Sequence, residues 1–401
     1  MIKIGKPYLE ANGSDYTRLV SDISVDGEKR TVWAEVENKY KDFLCYERVD
    51  AFLVGLLHYA MSNGHDIVCE APVGEDLYYQ LTTYLIEAIS KGSKGVMHRV
   101  RITADVDCND LPCANKVGTG ISCGVDSLHV LAHLRGNLKH HELTHLAFNN
   151  VGSNGEGEKS QQLFAQRKQL AQKFCKEMDY ELTSVNSNIM DEFKQSHLMT
   201  CIYTCCFSIL VLQKLYSVYY IASSEPVFHF NLNDNQLRDA SFYEGLFVEA
   251  CSTRNLRIYC EGMTLNRIEK MKDLVLYPPS YKYLNVCVRE AKNCGKCEKC
   301  VRTLLALDIL GALDIYRDVF DVDYYKSHRQ DYLAKMFFFY KVCGNSEYVE
   351  IYPLLKNQIR LASIIRIIPN IISYRMKHLL SGAPGVYHFI RNSYRKLMGK
   401  Q

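Results

Sequence analysis

Apolar and polar positions alternate with two different periods along this chain, and the switches between them divide it into three parts. Over residues 1–110, short alternating stretches such as 31–36 predict strands, helical spacing over 49–61 and 77–89 predicts helices, and 96–106 reads as a further strand. This part is expected to be an α+β domain. From about residue 116 strand-like and helix-like stretches take turns. The strands fall at 117–122, 145–151, 180–185, 218–223 and 256–260, with helices at 128–135, 158–178, 191–215, 242–253 and 265–274. Strands separated by helices suit crossover connections rather than hairpins, so residues 111–315 predict an α/β fold with a parallel, helix-covered sheet. A further helix is expected at 301–313, and residues 316–401 are expected to form a C-terminal helical region.

The most apolar stretch, 201–212, ends at Gln213 and Lys214, short of the ~18 residues that suggest a membrane span, and predicts a buried helix. With 401 residues, 47% hydrophobic and 23% charged, the chain has the length for more than one domain and a sizeable core. Its 16 cysteines are spread through helix and strand patterns rather than set in a short secreted framework, so reduced thiols and a cytoplasmic location are expected. The start, Met1 to Pro7, lacks the apolar run of a secretory signal.

Charge is distributed unevenly. Residues 356–401 carry nine Lys or Arg and no Asp or Glu, although the whole chain is only +3. Ile359, Leu361, Ile364, Ile365, Ile367, Ile368, Ile371 and Ile372 interleave with these cations, giving a basic amphipathic segment interrupted by Pro369. Such a segment suits docking on an acidic protein, an anionic membrane surface or RNA, and equally a helical cover on the protein's own acidic body.

The densest chemical signal lies at residues 120–127, which read Gly-Ile-Ser-Cys-Gly-Val-Asp-Ser between a predicted strand and a predicted helix. A small-residue turn lets backbone N–H groups approach an anion, and the helix start behind it favours phosphate. A nucleotide is therefore the expected ligand. No Gly-Lys-Ser/Thr follows, so this is not a Walker loop, and it is not the dinucleotide fingerprint either. Asp126 at the helix start suits holding Mg²⁺, orienting the loop or simply capping the helix. His129 and His133 stand one turn apart on the same helix face, a metal-ligand spacing, but no carboxylate or third histidine is fixed beside them by sequence, so packed or exposed rings are expected.

Cys287, Cys294, Cys297 and Cys300 form a second signal, two Cys-x-x-Cys steps sharing a thiol with a fourth nearby. Four thiolates suit a tetrahedral Zn²⁺ that leaves no position for water, which makes the site structural. An iron–sulfur cluster and unligated thiols fit the same spacing.

Ser122, Gly124, Asp126 and Ser127 match the SGGxDS signature, and here the chain resembles the PP-loop ATP pyrophosphatases, which split ATP into AMP and pyrophosphate while adenylating a substrate. Cys123 replaces that family's first glycine, placing a Cβ in the tight turn and a thiol where it could face the phosphates. The resemblance implies ATP held by Ser122, Cys123, Gly124, Val125, Asp126 and Ser127, with Mg²⁺, and with Phe148 and Asn149 reading adenine through their backbone. Ser223 and Ser224, after the fourth strand, are expected near the α-phosphate or the acyl acceptor. Charged residues near predicted element ends are Asp239, Glu244, Arg254, Glu269 and Lys270, of which Lys270 is the expected cation for charge developing at the α-phosphate. Asp126, Ser127 and Lys270 are the expected catalytic residues.

Both signals occur together in 7-cyano-7-deazaguanine synthases, which place a four-cysteine zinc site after a PP-loop core. The likeness covers residues 115–312 and includes Gly262 to Lys270, similar to a segment preceding the cysteines in related proteins. The synthases' Pro-Asp-Cys-Arg substrate segment does not occur between Ser224 and Gly262, so a different acceptor is expected. The implied function is ATP-dependent activation of a carboxylate or amide for attack by ammonia or another nitrogen nucleophile. Sulfur transfer to a nucleobase and a non-catalytic nucleotide-binding module are the alternatives.

Overall fold

The computed structural model describes residues 1–134, 138–155, 157–233 and 239–379. The chain forms two compact units, residues 1–285 and 286–401.

The first unit contains a five-stranded parallel sheet, so the α/β expectation holds. Counted along the chain its strands are Lys116–Gly120, His145–Ala147, Glu181–Thr183, Tyr216–Ala222 and Arg257–Glu261, arranged third, second, first, fourth, fifth. The chain thus runs outward from the central strand to one edge, returns, and continues to the other. The crevice beside the first strand, where this reversal occurs, is where ligands bind in such sheets. The central strand is short and rich in glycine because it is crowded: a Cβ at Gly118 would lie 2.6 Å from the Tyr216 ring.

The second sheet joins the N-terminal region to this one. In it Asn186–Ser187 pairs with Glu28–Glu37, followed in order by Tyr16–Val25, Ile2–Ile4, Ile67–Cys69 and Ile102–Thr103. The chain leaves the parallel sheet after Thr183, contributes that short strand, and returns through the helix His197–Val211, which packs on the helix Asp50–Asn63. One apolar core accordingly runs from Ile2 through Phe52 and Phe207 to Ile258. Residues 1–110 do not have a core to themselves.

Two elements differ from expectation. The continuous strand over 96–106 is reduced to Ile102–Thr103 and Val106–Asp107, because the Val96 N–H is taken by the Ser93 carbonyl in a turn and the His98 N–H by the Met61 carbonyl. The helix over 191–215 is two helices, Ile189–Phe193 and His197–Val211, broken where Lys194 adopts φ 46°. Among the described residues no helix is long and apolar enough to cross a membrane.

The second unit is mainly helical. Glu298–Ile309 and Arg329–Phe337 pack together, with Tyr316, Tyr325, Tyr332 and Tyr348 fully buried among these elements. The helix Leu361–Leu379 lies along Arg329–Phe337 and includes Pro369. One stripe of it, Leu361, Ile365, Ile368 and Ile372, is exposed to between 42% and 75%.

Candidate functional site

The loop after the central strand turns at Cys123, whose φ of 57° lies in the left-handed region, and Gly124 then caps the helix Val125–His133. This turn brings two hydroxyls together. The Ser122 and Ser127 Oγ atoms are 3.2 Å apart, the Gly124 N–H donates to Ser122 Oγ, and Ser127 Oγ donates to the Gly124 carbonyl. The Cys123 side chain takes the opposite course from that expected: it is 1% exposed, and burial pushes its thiol up to about 12. It packs into the protein as a small apolar group because the left-handed turn aims its Cβ inward, and no thiolate is offered to a phosphate.

Asp126 sits in the first helical turn and meets two cations from a distant helix, Arg267–Val275. Lys270 Nζ is 3.2 Å from Asp126 Oδ1 and Arg267 Nη1 is 3.3 Å from Oδ2. Lys270 is 3% exposed and also donates to the Ser223 carbonyl at 2.6 Å, so it spans the crevice between the first and fourth strands. Its position follows from local sequence. Asn266 accepts the Glu269 N–H while the Glu269 carboxylate accepts the Asn266 N–H, a reciprocal cap that starts the helix one turn before Lys270.

Glu244 completes the crevice. Its Oε1 accepts from Ser223 Oγ at 2.7 Å and from the Ser224 and Glu225 N–H groups at 2.8 and 3.2 Å. Burial raises its carboxyl to about 7 despite these bonds and the nearby Lys270 charge. A carboxyl poised there can take up or release a proton near neutrality.

The other charged candidates are used structurally. Asp239 accepts the Ser241 N–H, Arg254 pairs with Glu75, and Glu269 belongs to the helix cap. Phe148 and Asn149 follow the second strand, yet their polar groups hold the neighbouring chain. The Phe148 N–H donates to the Thr183 carbonyl, the Phe148 carbonyl accepts from Ser184 Oγ, and the Asn149 side chain bonds to the Val185 N–H and Ser208 Oγ. Sequence reasoning did not single out Arg267, although its place one turn before Lys270 on the capped helix puts both on one face.

In the second unit Cys287, Cys294, Cys297 and Cys300 converge, with one sulfur from each lying within 4.8 Å of the others. The Cys287 and Cys297 sulfurs are 3.9 Å apart, close to the ~3.8 Å that a tetrahedral ion with ~2.3 Å bonds to sulfur requires. Backbone N–H groups point at the sulfurs: Glu290 at Cys287, and Lys296 and Cys297 at Cys294. Burial raises the Cys294 thiol, but these N–H bonds, with Cys287 and Cys297 beside it, outweigh that and bring it down to about 7. The cluster has the donors and spacing to hold a metal ion.

Neither a protein-family model, nor a curated protein, nor a solved structure matches the chain.

Proposed function

We propose that this chain is an ATP-dependent adenylating enzyme of the PP-loop type, similar to 7-cyano-7-deazaguanine synthases, that forms a C–N bond. The observation that carries the reading is Lys270, a nearly buried cation held between Asp126 at the loop helix and the carbonyl of Ser223 at the switch of the sheet. An anion-favouring helix start, two hydroxyls and two cations converge on one crevice, which suits a polyphosphate.

In this reading the loop from Ser122 to Ser127 receives the β- and γ-phosphates. Asp126 is the residue to hold Mg²⁺, which would offset phosphate charge. Lys270 and Arg267 stabilise charge developing at the α-phosphate. A carboxylate or amide oxygen of the acceptor bonds to the α-phosphorus as the bond to pyrophosphate breaks. A nitrogen nucleophile then attacks the activated carbon and AMP leaves, with Glu244 proposed as the group that accepts the nucleophile's proton. The four cysteines are proposed as a structural Zn²⁺ site, since four protein ligands leave no open position.

Sulfur transfer, the alternative, would need a persulfide-carrying cysteine near the loop; Cys123 is buried, and Cys260 beside Ser223 is the remaining candidate. Incubation with ATP, Mg²⁺ and candidate acceptors tests the reading. AMP and pyrophosphate are expected; ADP and phosphate would overturn it, and ATP binding without turnover would favour the non-catalytic module.

The exposed stripe of Leu361, Ile365, Ile368 and Ile372 belongs to a segment, 356–401, with cations and no anions, a combination that suits the surface of an anionic bilayer. The full chain is expected to sediment with phosphatidylserine vesicles and not with phosphatidylcholine ones. Sedimentation with RNA or an acidic protein instead would replace the lipid as partner.

A further inference from the structure

The loop helix presents a second cluster on the flank away from its N-terminus. His129 and His133 stand one turn apart, their ring centroids separated by 5.7 Å. The sequence fixes no third ligand beside them, but the fold supplies one and sets a second carboxylate near His133. Asp273 comes from the helix Arg267–Val275, which packs on the loop helix, and its Oδ2 is 2.9 Å from His129 Nε2. Glu261 ends the fifth strand of the parallel sheet, and its Oε1 is 3.7 Å from His133 Nε2. One donor atom from each of His129, His133 and Asp273 lies within 4.8 Å of the others.

We propose that His129, His133 and Asp273 form a binding site for a divalent transition-metal ion of the zinc class, with Glu261 beside His133, separate from the four-cysteine cluster and from the Asp126 crevice. Two imidazoles and a carboxylate are a donor set that zinc accepts and that Mg²⁺, which favours oxygen alone, does not. The arrangement is shaped around the ring of His129, which is 1% exposed. Gly262 has φ 79°, and a Cβ there would lie 3.2 Å from His129 Nδ1 and 3.4 Å from Lys270 Cε, so the glycine leaves room for both side chains. Among the described residues His129 Nδ1 has no hydrogen-bond partner, and Nε2 is the ring nitrogen that faces Asp273. The mouth is open to an arriving ion, since His133 is 54% and Asp273 42% exposed.

Elements joined by this site also carry the crevice residues. Asp126 and His129 share one helix, and Lys270 and Asp273 share the other. A bound ion would tie the two helices together beside the Asp126–Lys270 pair. The site does not depend on the nucleotide reading, and its test reads metal rather than turnover.

The experiment compares metal content and Zn²⁺ affinity of the full chain with those of His133→Ala and Asp273→Asn. His133 is exposed, so its loss should leave the fold intact by circular dichroism. Asparagine at 273 keeps an oxygen that can accept the His129 N–H but removes the anionic ligand. Each variant is expected to bind one Zn²⁺ fewer per chain, or to bind it at least about tenfold more weakly. With Co²⁺ as probe, the lost ion should take with it visible absorption while leaving intact any sulfur-to-cobalt charge-transfer bands. Equal Zn²⁺ content and affinity in the intact chain and both folded variants would overturn the site and leave His129–Asp273 as a plain hydrogen bond. Loss of the charge-transfer bands in His133→Ala would equally overturn it, because the ion would then belong to the thiols.

Discussion

The crevice around Asp126 and the cysteine cluster around Cys294 are built on opposite plans. The cluster takes all its donors from 14 consecutive residues, 287–300, whereas the crevice assembles Ser122, Asp126, Ser223, Glu244, Arg267 and Lys270 from three strand ends and their following helices. A local site can be read from spacing because the chain between ligands is too short to separate them. A distributed site depends on strand order, which spacing does not encode. The two plans also predict different failures. Losing a ligand from the local site should undo the structure around it, while losing a residue from the distributed site should weaken chemistry on a sheet held by its own core.

The largest effect is therefore expected at the cysteines. Cys297→Ser, or stripping metal with a chelator, should remove the bound ion and destabilise residues 286–401, since structural Zn²⁺ can contribute on the order of 10 kcal/mol to folding. Hydrogen exchange read separately over the two units measures this. Unchanged protection in both would break the contrast between the plans. Lys270→Met comes next. It leaves Asp126, still paired with Arg267, with one cation fewer, so a loss of only about 1–3 kcal/mol is expected from denaturant unfolding, while AMP formation in the proposed chemistry should fall about 10²–10³-fold. Wild-type turnover in a folded variant would remove Lys270 from the proposed chemistry.

What the sequence made legible follows the same division. The four cysteines, the loop and its helix, and all five parallel strands were readable because each is a local pattern. Lys270 was readable as a cation near an element end, but its contact with Asp126 spans 144 residues and needed the strand order. Asp273 and Glu261 escaped notice beside His129 and His133 for that reason, as did Glu244 beside Ser223. Cys123 was misread in a different way. Its position in the loop was right, but which way a side chain points from a left-handed residue follows from a dihedral angle rather than from residue order. The strand expected at 96–106 likewise satisfied alternation while its backbone found other partners.

A smaller effect separates Glu244 from its neighbours. Its carboxyl is raised to about 7 in the folded chain against an ordinary value of 4.5, so the folded state binds the proton that the unfolded state has released between those values. The Glu244 contribution to stability is therefore greatest below about pH 4.5, falls as pH rises toward 7 and is constant above. The total fall is on the order of 3 kcal/mol. Glu244→Gln, which keeps an oxygen for the Ser224 and Glu225 N–H groups, should flatten this slope. Melting temperatures of both proteins at pH 5 and pH 8 check it, and parallel curves would show that the carboxyl does not titrate there.

The smallest effect is expected at the loop itself. Cys123→Gly relieves a left-handed backbone of about 1–2 kcal/mol but gives up a buried thiol whose packing is worth about as much, so stability should change by no more than about 1 kcal/mol. Cys123→Ala isolates the second term, because it keeps the strained Cβ and removes only the sulfur. Cys123→Val adds a branch to a residue with φ 57° and should be the least stable of the three. The order Gly above Ala above Val, measured by urea unfolding, would show that this position is governed by its backbone. If Ala and Gly were equally destabilised, the buried sulfur would be the group that matters, and the loop would depend on the side chain that sets it apart from a glycine turn.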